Sequence, residues 1–136
     1  MSYYNEVAIE MYEKDFNVLD EMAHEMEDRE LENLVDSATV TKIGEKAVVL
    51  HWDWIKWNDL YTDVSKLMNF LNSCDENGNE VISYKFVRMG EDYSDIEYYN
   101  HFLNLDEDEQ HLDDIWPQTQ ISIPEGPSIK RKWEKK

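Results

Sequence analysis

The stretch AVVLHWDWIKW, residues 47–57, decides the fold class. Along an extended chain Val48, Leu50, Trp52 and Trp54 fall on one side, and Val49, His51, Asp53, Ile55 and Trp57 on the other. One side is strongly apolar and the other mixed, which is the alternation of a sheet strand with one face in the core. Branched and aromatic residues favour a pleated, half-buried surface, so a strand fits better than a helix. The three indoles read as core filling beneath helices rather than as a ligand platform.

Working outward, Gly44-Glu45-Lys46 is short enough to close a hairpin onto a preceding strand at 39–43, with glycine supplying a positive φ. After residue 57, Asn58 or Asp59 can cap a helix whose buried stripe is Leu60, Val64, Leu67, Met68 and Leu71. That helix is expected to lie across the indole face of the central strand. DENGN, residues 75–79, is a turn. It is not a calcium loop: with Gly78 at position six, the first and twelfth positions fall on Ser73 and Tyr84, neither a carboxylate. A third strand follows over 81–89, with Lys85 and Arg88 on opposite faces.

Both ends read as helical. Over 4–36, Ala8, Tyr12 and Phe16 open an apolar stripe that continues through Leu19, Met22, Ala23 and Met26 toward Leu34. Glu27, Asp28, Arg29 and Glu30 interrupt it, so either one long helix with a solvated turn or two helices meeting near there is expected. Glu21, Glu25, Asp28 and Glu32 are spaced four, three and four apart, which would set four carboxylates on one helical ridge. Ser94 and Glu97 have capping-box spacing for a helix burying Ile96, Tyr99, Phe102 and Leu103, with Tyr98 turned away. Asp106 and Glu109 repeat that spacing before Leu112, Ile115 and Trp116, and Pro117 ends the segment. Ile121 and Ile123 could add an edge strand. These readings give an α+β domain with a three-stranded antiparallel sheet packed against several helices and a long acidic N-terminal helical segment. Its expected extent is 1–127, followed by a basic flexible tail, 128–136.

Charge then constrains function. The chain has 136 residues with 31 acids and 13 bases, net −18, and 41% hydrophobic residues. That length supports one domain with a real core. Five bases lie in KRKWEKK at the end, so residues 1–129 hold 30 acids against 8 bases. Such a body disfavours anionic membranes and direct contact with a nucleic-acid backbone, both of which need positive surface. There is no long apolar run and no secretion leader, and Cys74 is the sole cysteine. A cytoplasmic, reduced setting is the simplest expectation.

Catalytic and metal readings find little support. His24-Glu25 begins like a zincin helix, but Asp28 stands where the second histidine belongs. His51 and Asp53 share a strand face without a placed nucleophile. Cys74 has no sequence-local histidine and reads as buried or inert. Glycines 44, 78, 90 and 126 fit turns, and no phosphate loop is formed. The expectation is a non-enzyme with no cofactor and no metal.

What remains is an interaction protein. Between Glu91 and Asp114 there are ten acids and no lysine or arginine. Asp92, Asp95, Glu97, Tyr98, Asp106, Glu107, Asp108, Asp113 and Asp114 are therefore the expected partner-binding residues, with Glu21, Glu25, Asp28 and Glu32 as the alternative. The expected partner is a basic protein, a nucleic-acid-binding protein or nuclease, whose phosphate-reading cations these carboxylates would occupy. In size and charge the chain is similar to small acidic phage and mobile-element inhibitors of restriction or RNA-guided defence. Two other classes stay open: an immunity or antitoxin protein neutralising a basic toxin, for which Asp95, Ile96, Glu97, Tyr98 and Tyr99 offer suitable contacts, and a non-inhibitory adaptor.

Overall fold

The segment NEVAIEMY, which precedes the first helix, is the middle strand of the protein. In the computed structural model, which describes residues 4–92, 94–103, 112–129 and 131, β1 (Asn5–Tyr12) lies between β3 (Ala47–Ile55) and β4 (Tyr84–Met89). The remaining elements are α1 (Glu13–Glu25), α2 (Arg29–Asp36), β2 (Thr39–Ile43), α3 (Thr62–Leu71), β5 (Ile96–His101), β6 (Trp116–Pro117) and β7 (Ile121–Ser122). Five strands form one antiparallel sheet in the order β2-β3-β1-β4-β5, and β6 pairs with β7 in a second sheet of two. Up to β4 this is a split β-α-β arrangement, in which β1 slots between a hairpin strand and the strand after α3. Among the described residues no helix is long and apolar enough to cross a membrane.

The fold class is therefore α+β, but the three-stranded sheet is corrected to sheets of five and two strands, and the N-terminal helical segment is corrected over residues 5–12, which form β1; residues 13–36 hold two helices that meet at the acidic interruption. β1 is buried on both faces, and Ala8 and Tyr12 interrupt the polar positions Glu6 and Glu10, so the alternation that marks a half-exposed strand is incomplete. Val7, Ile9 and Met11 face the helices, while Ala8 and Tyr12 face the other way into a second core. Its four-residue spacing Ala8-Tyr12-Phe16 imitates a helical stripe, yet only Phe16 belongs to a helix. The expected helix at Ser94 is also a strand: β5 pairs with β4 from Tyr84↔His101 to Met89↔Ile96.

Other expectations hold with changed bounds. The hairpin β2–β3 turns at Gly44, whose φ is 63°. On α3, Val64, Leu67 and Leu71 are buried against Val48, Leu50 and Trp52, but Leu60 lies before the helix and is 90% exposed. Trp52 is 3% exposed and its indole N–H donates to the Leu34 carbonyl at 3.0 Å. Trp54 departs from the expected face. Between the pairs Val7↔Trp52 and Asn5↔Ile55, Glu6 on β1 stands opposite two residues of β3, so the register shifts. One inserted residue flips the alternation beyond it. Trp57 accordingly enters the helix-side core, and Trp54 is 68% exposed, stacked on Tyr4 at 4.5 Å.

The helices cover one face of the sheet, and residues 112–123 cover the other. Leu112, Ile115 and Ile121 pack against Ala8, Val49 and Val87. The expected short helix beginning at Asp106 falls largely outside the described residues; Leu112 and Ile115 are buried, as read from sequence, but Trp116 lies in β6 and is 42% exposed. The chain stays docked past residue 127: the Ile129 N–H donates to the Val40 carbonyl at 3.4 Å, and Arg131 is paired with Asp20 and Asp36.

Candidate interaction surface

The described carboxylates between 91 and 114 do not share one surface: Asp92 and Asp95 lie in the turn before β5, Glu97 is on β5, and Asp113 and Asp114 are on the segment that covers the face away from the helices. Successive strand residues point to opposite sides. Glu97 and Tyr99 stand on the helix side, and Tyr99 stacks on Phe86 with ring centroids 5.2 Å apart. Ile96 and Tyr98 stand on the side of Trp116, whose ring lies 5.8 Å from that of Tyr98. The opposed directions of Tyr98 and Tyr99 agree with the sequence reading, although a strand rather than a helix produces them. Burial pushes the Tyr99 phenol upward, with the Tyr84 side chain adding to the effect.

Cations absent from that stretch of sequence arrive from the neighbouring strand. The Arg88 guanidinium makes a fork on Asp95, with Nη2 to Oδ1 at 2.8 Å and Nη1 to Oδ2 at 3.2 Å, and its Nε reaches Glu97 at 3.4 Å. Asp95 sits directly against Gly90, where any side chain would collide with the carboxylate. Asp92 closes the turn instead, accepting from the Ser94 N–H and hydroxyl at 3.0 and 2.9 Å, which hold its carboxyl below the ordinary range. Asp106, Glu107 and Asp108 lie outside the described residues.

On the opposite face, Lys85 is fully buried and donates to Asp113 Oδ1 at 2.7 Å. Its ammonium is 3.4 Å from the Trp116 ring centroid and 5.2 Å from that of Tyr98. A buried cation has lost its hydration, and the carboxylate and ring faces replace it. Glu10, beside Lys85 in register, is also fully buried and accepts the Asp114 N–H at 2.8 Å. Burial, followed by the hydrogen-bonded Asp114 carboxyl, raises its pKa to about 8. Thus Asp113 and Asp114 also anchor the covering segment to the sheet. Neither Glu10 nor Lys85 was singled out from sequence as part of a site. The available signal was Glu10 inside the otherwise apolar run 7–12 and Lys85 inside the otherwise apolar run 84–87.

The alternative group is not one ridge. Glu21 and Glu25 are exposed on α1; the chain then turns at Glu27 with φ 53°, and Asp28 caps α2 by accepting the Leu31 N–H at 3.3 Å. Lys66 pairs with Asp28 at 2.9 Å, and Glu32 lies on α2. The carboxylates therefore belong to two helices separated by a break.

Two triads bring three potential metal donors within 4.8 Å of one another: Glu6, His51, Asp53 and Asp20, His24, Asp36. In the first, His51 is 2.7 Å from Glu6 and 3.3 Å from Asp53, so the pair read from sequence has a closer third member. In the second, the Arg131 guanidinium is seated against both aspartates. Cys74 is exposed, so of the reading as a buried or inert thiol the burial is corrected. No protein-family model, curated protein or solved structure matches the chain.

Proposed function

We propose that the chain is an acidic interaction protein that inhibits a basic partner by occupying its nucleic-acid-binding groove. The supporting observation is how its few cations are used. Lys42, Lys66, Lys85 and Arg88 are paired with Glu13, Asp28, Asp113 and Asp95, and Arg131 with Asp20 and Asp36. With 30 acids against 8 bases over residues 1–129, such internal pairing leaves a large uncompensated negative charge. A field of that sign speeds encounter with cationic surfaces and occupies donors that would otherwise bind phosphates. A phage or mobile-element anti-restriction or anti-CRISPR role is one setting for this activity.

The test is a pull-down with the intact chain as bait, eluted with duplex DNA, RNA or salt. Partners of this class carry an electropositive nucleic-acid site, leave the bait when nucleic acid is added, and lose activity when bound. A partner that is inhibited but not displaced by nucleic acid supports the immunity or antitoxin alternative. Binding without inhibition supports an adaptor. Asn and Gln replacements at Asp92, Asp95, Glu97, Asp106, Glu107, Asp108, Asp113 and Asp114 are expected to weaken capture more than replacements at Glu21, Glu25, Asp28 and Glu32.

A further inference from the structure

The two outer strands of the large sheet end differently. Alongside β2 runs the chain's own C-terminal segment: the Lys42 N–H donates to the Pro127 carbonyl at 2.8 Å, and Thr41 bridges Ser128 in antiparallel fashion. Gly126 permits this approach, since a side chain there would strike the Lys42 carbonyl. Beyond β5, no described residue pairs with the strand. Its ladder to β4 has no register shift, and its sequence IEYYNH contains neither lysine nor proline. Bulges, lysines and prolines are the usual means of blunting a free edge. Here Ile96 and Tyr98 remain 44% and 39% exposed, beside the half-exposed Trp116. An edge open among the described residues and flanked by apolar side chains suits strand addition, in which backbone hydrogen bonds supply affinity and alternate side chains supply selectivity.

Charge selects the occupant. Glu91 and Asp92 stand in the turn leading into β5 and Glu97 lies on it, while Lys85 and Arg88 are already engaged by Asp113 and Asp95. A second copy would bring another net charge of −18 against the same acids. We infer that the outer edge of β5 is a strand-addition site for an extended, cation-rich segment of a partner protein. Alternate residues of that segment place apolar groups beside Ile96 and Tyr98 on one face and lysines or arginines toward Glu97 on the other. This inference rests on reading the chain as an acidic binder of basic proteins.

The probe is a capped octapeptide of alternating lysine and valine, titrated calorimetrically into the intact protein with amide exchange followed at residues 96–101. Saturable, salt-sensitive binding with slowed exchange at β5 is expected. Methylating alternate peptide nitrogens retains charge but removes donors on one edge of the peptide strand. One methylation phase should weaken binding about tenfold or more, and the other should leave it within about twofold. Equal effects in both phases, equal binding of a lysine-glycine peptide, or a dimer of the chain that pairs β5 and excludes the peptide would overturn the inference. The two readings fail separately. Failure of nucleic acid to displace a captured partner removes groove occupation but leaves the phase dependence; loss of phase dependence removes strand addition but leaves that competition.

Discussion

The two faces of the central sheet are held by different chemistry. On the helix side, Val7, Ile9, Leu50, Trp52 and Phe86 meet Phe16, Leu19, Leu67 and Leu71 in an apolar core. On the other side a smaller apolar cluster shares its space with buried Lys85 and Glu10, and with Glu6 paired to His51. Apolar burial is nearly insensitive to pH, whereas a buried ionisable group couples folding to proton binding. The comparison therefore assigns bulk stability to the helix face and the larger pH sensitivity to the face beneath residues 112–123.

The largest expected effect tests the first half of that assignment. Trp52→Ala should cost about 3–5 kcal/mol, because it opens a cavity beneath the helices and removes a buried donor to the Leu34 carbonyl. Chemical denaturation at pH 6 and pH 8 should show the same loss at both. A marked difference between the two pH values would break the separation of the faces.

Glu10→Gln tests the other half. Glu10 carries a proton more readily in the folded state, with a pKa raised from 4.5 to about 8. Its favourable contribution is therefore complete below 4.5 and is lost progressively as pH rises through about 8. The neutral amide keeps an acceptor for the Asp114 N–H but has no charge to desolvate. The variant should be more stable than the parent by roughly 1–3 kcal/mol near pH 8, and the difference should shrink toward pH 4.5. A parent stability that does not fall between those pH values would remove Glu10 as the source of the asymmetry.

A smaller effect is expected at Lys85. Lys85→Met retains much of the side-chain volume and avoids burying an ammonium, so overall stability should remain within about 1 kcal/mol of the parent. Loss of the contact with Asp113 and the Trp116 ring should nevertheless loosen residues 112–116. Faster amide exchange at Leu112 and Ile115, with α3 amides unchanged, would localise the change to this face. Equal acceleration in α3 would show that the two layers open together.

Sequence made the helix face more legible than the charged one. β2, the Gly44 hairpin and α3 combine local turn chemistry with one-sided apolar patterns, so short windows reveal them. β1 is covered on both sides, and its distinction from a helix depends on neighbours distant in sequence. Trp54 lies beyond a register shift that strict alternation does not reveal. The spacing of Ser94 and Glu97 imitates a helix cap, but Glu97 faces Arg88 across two strands. Likewise, the acids from 91 to 114 have no basic residue among them in sequence, yet Lys85 and Arg88 meet Asp113, Asp95 and Glu97 through folding. The acidic bias was legible; its internal neutralisation was not.

A further prediction of comparable size asks whether pH sensitivity is confined to the charged face. His24 lies in the helical layer, where Nδ1 is 2.7 Å from the Asp20 carbonyl and Nε2 is 3.1 and 3.2 Å from the two Asp36 oxygens. Both ring nitrogens face acceptors, so the doubly protonated ring satisfies the site and a neutral ring leaves one nitrogen opposed to an acceptor. Burial opposes that charge, but the Asp20 carbonyl and the Asp36 carboxylate outweigh it and raise the His24 pKa above 6.5. The stabilising contribution is complete below 6.5 and is lost as pH rises through the higher folded-state value. His24→Gln should therefore cost roughly 0.5–1.5 kcal/mol at pH 5.5, with a smaller cost at pH 8.5. Glu10→Gln has the opposite sign and its effect grows with pH. Because Glu10 and His24 lie in layers on opposite sides of the sheet, their effects should add within about 0.5 kcal/mol. Additivity would establish two independent proton-linked contacts, whereas a larger deviation would show that the sheet couples the layers.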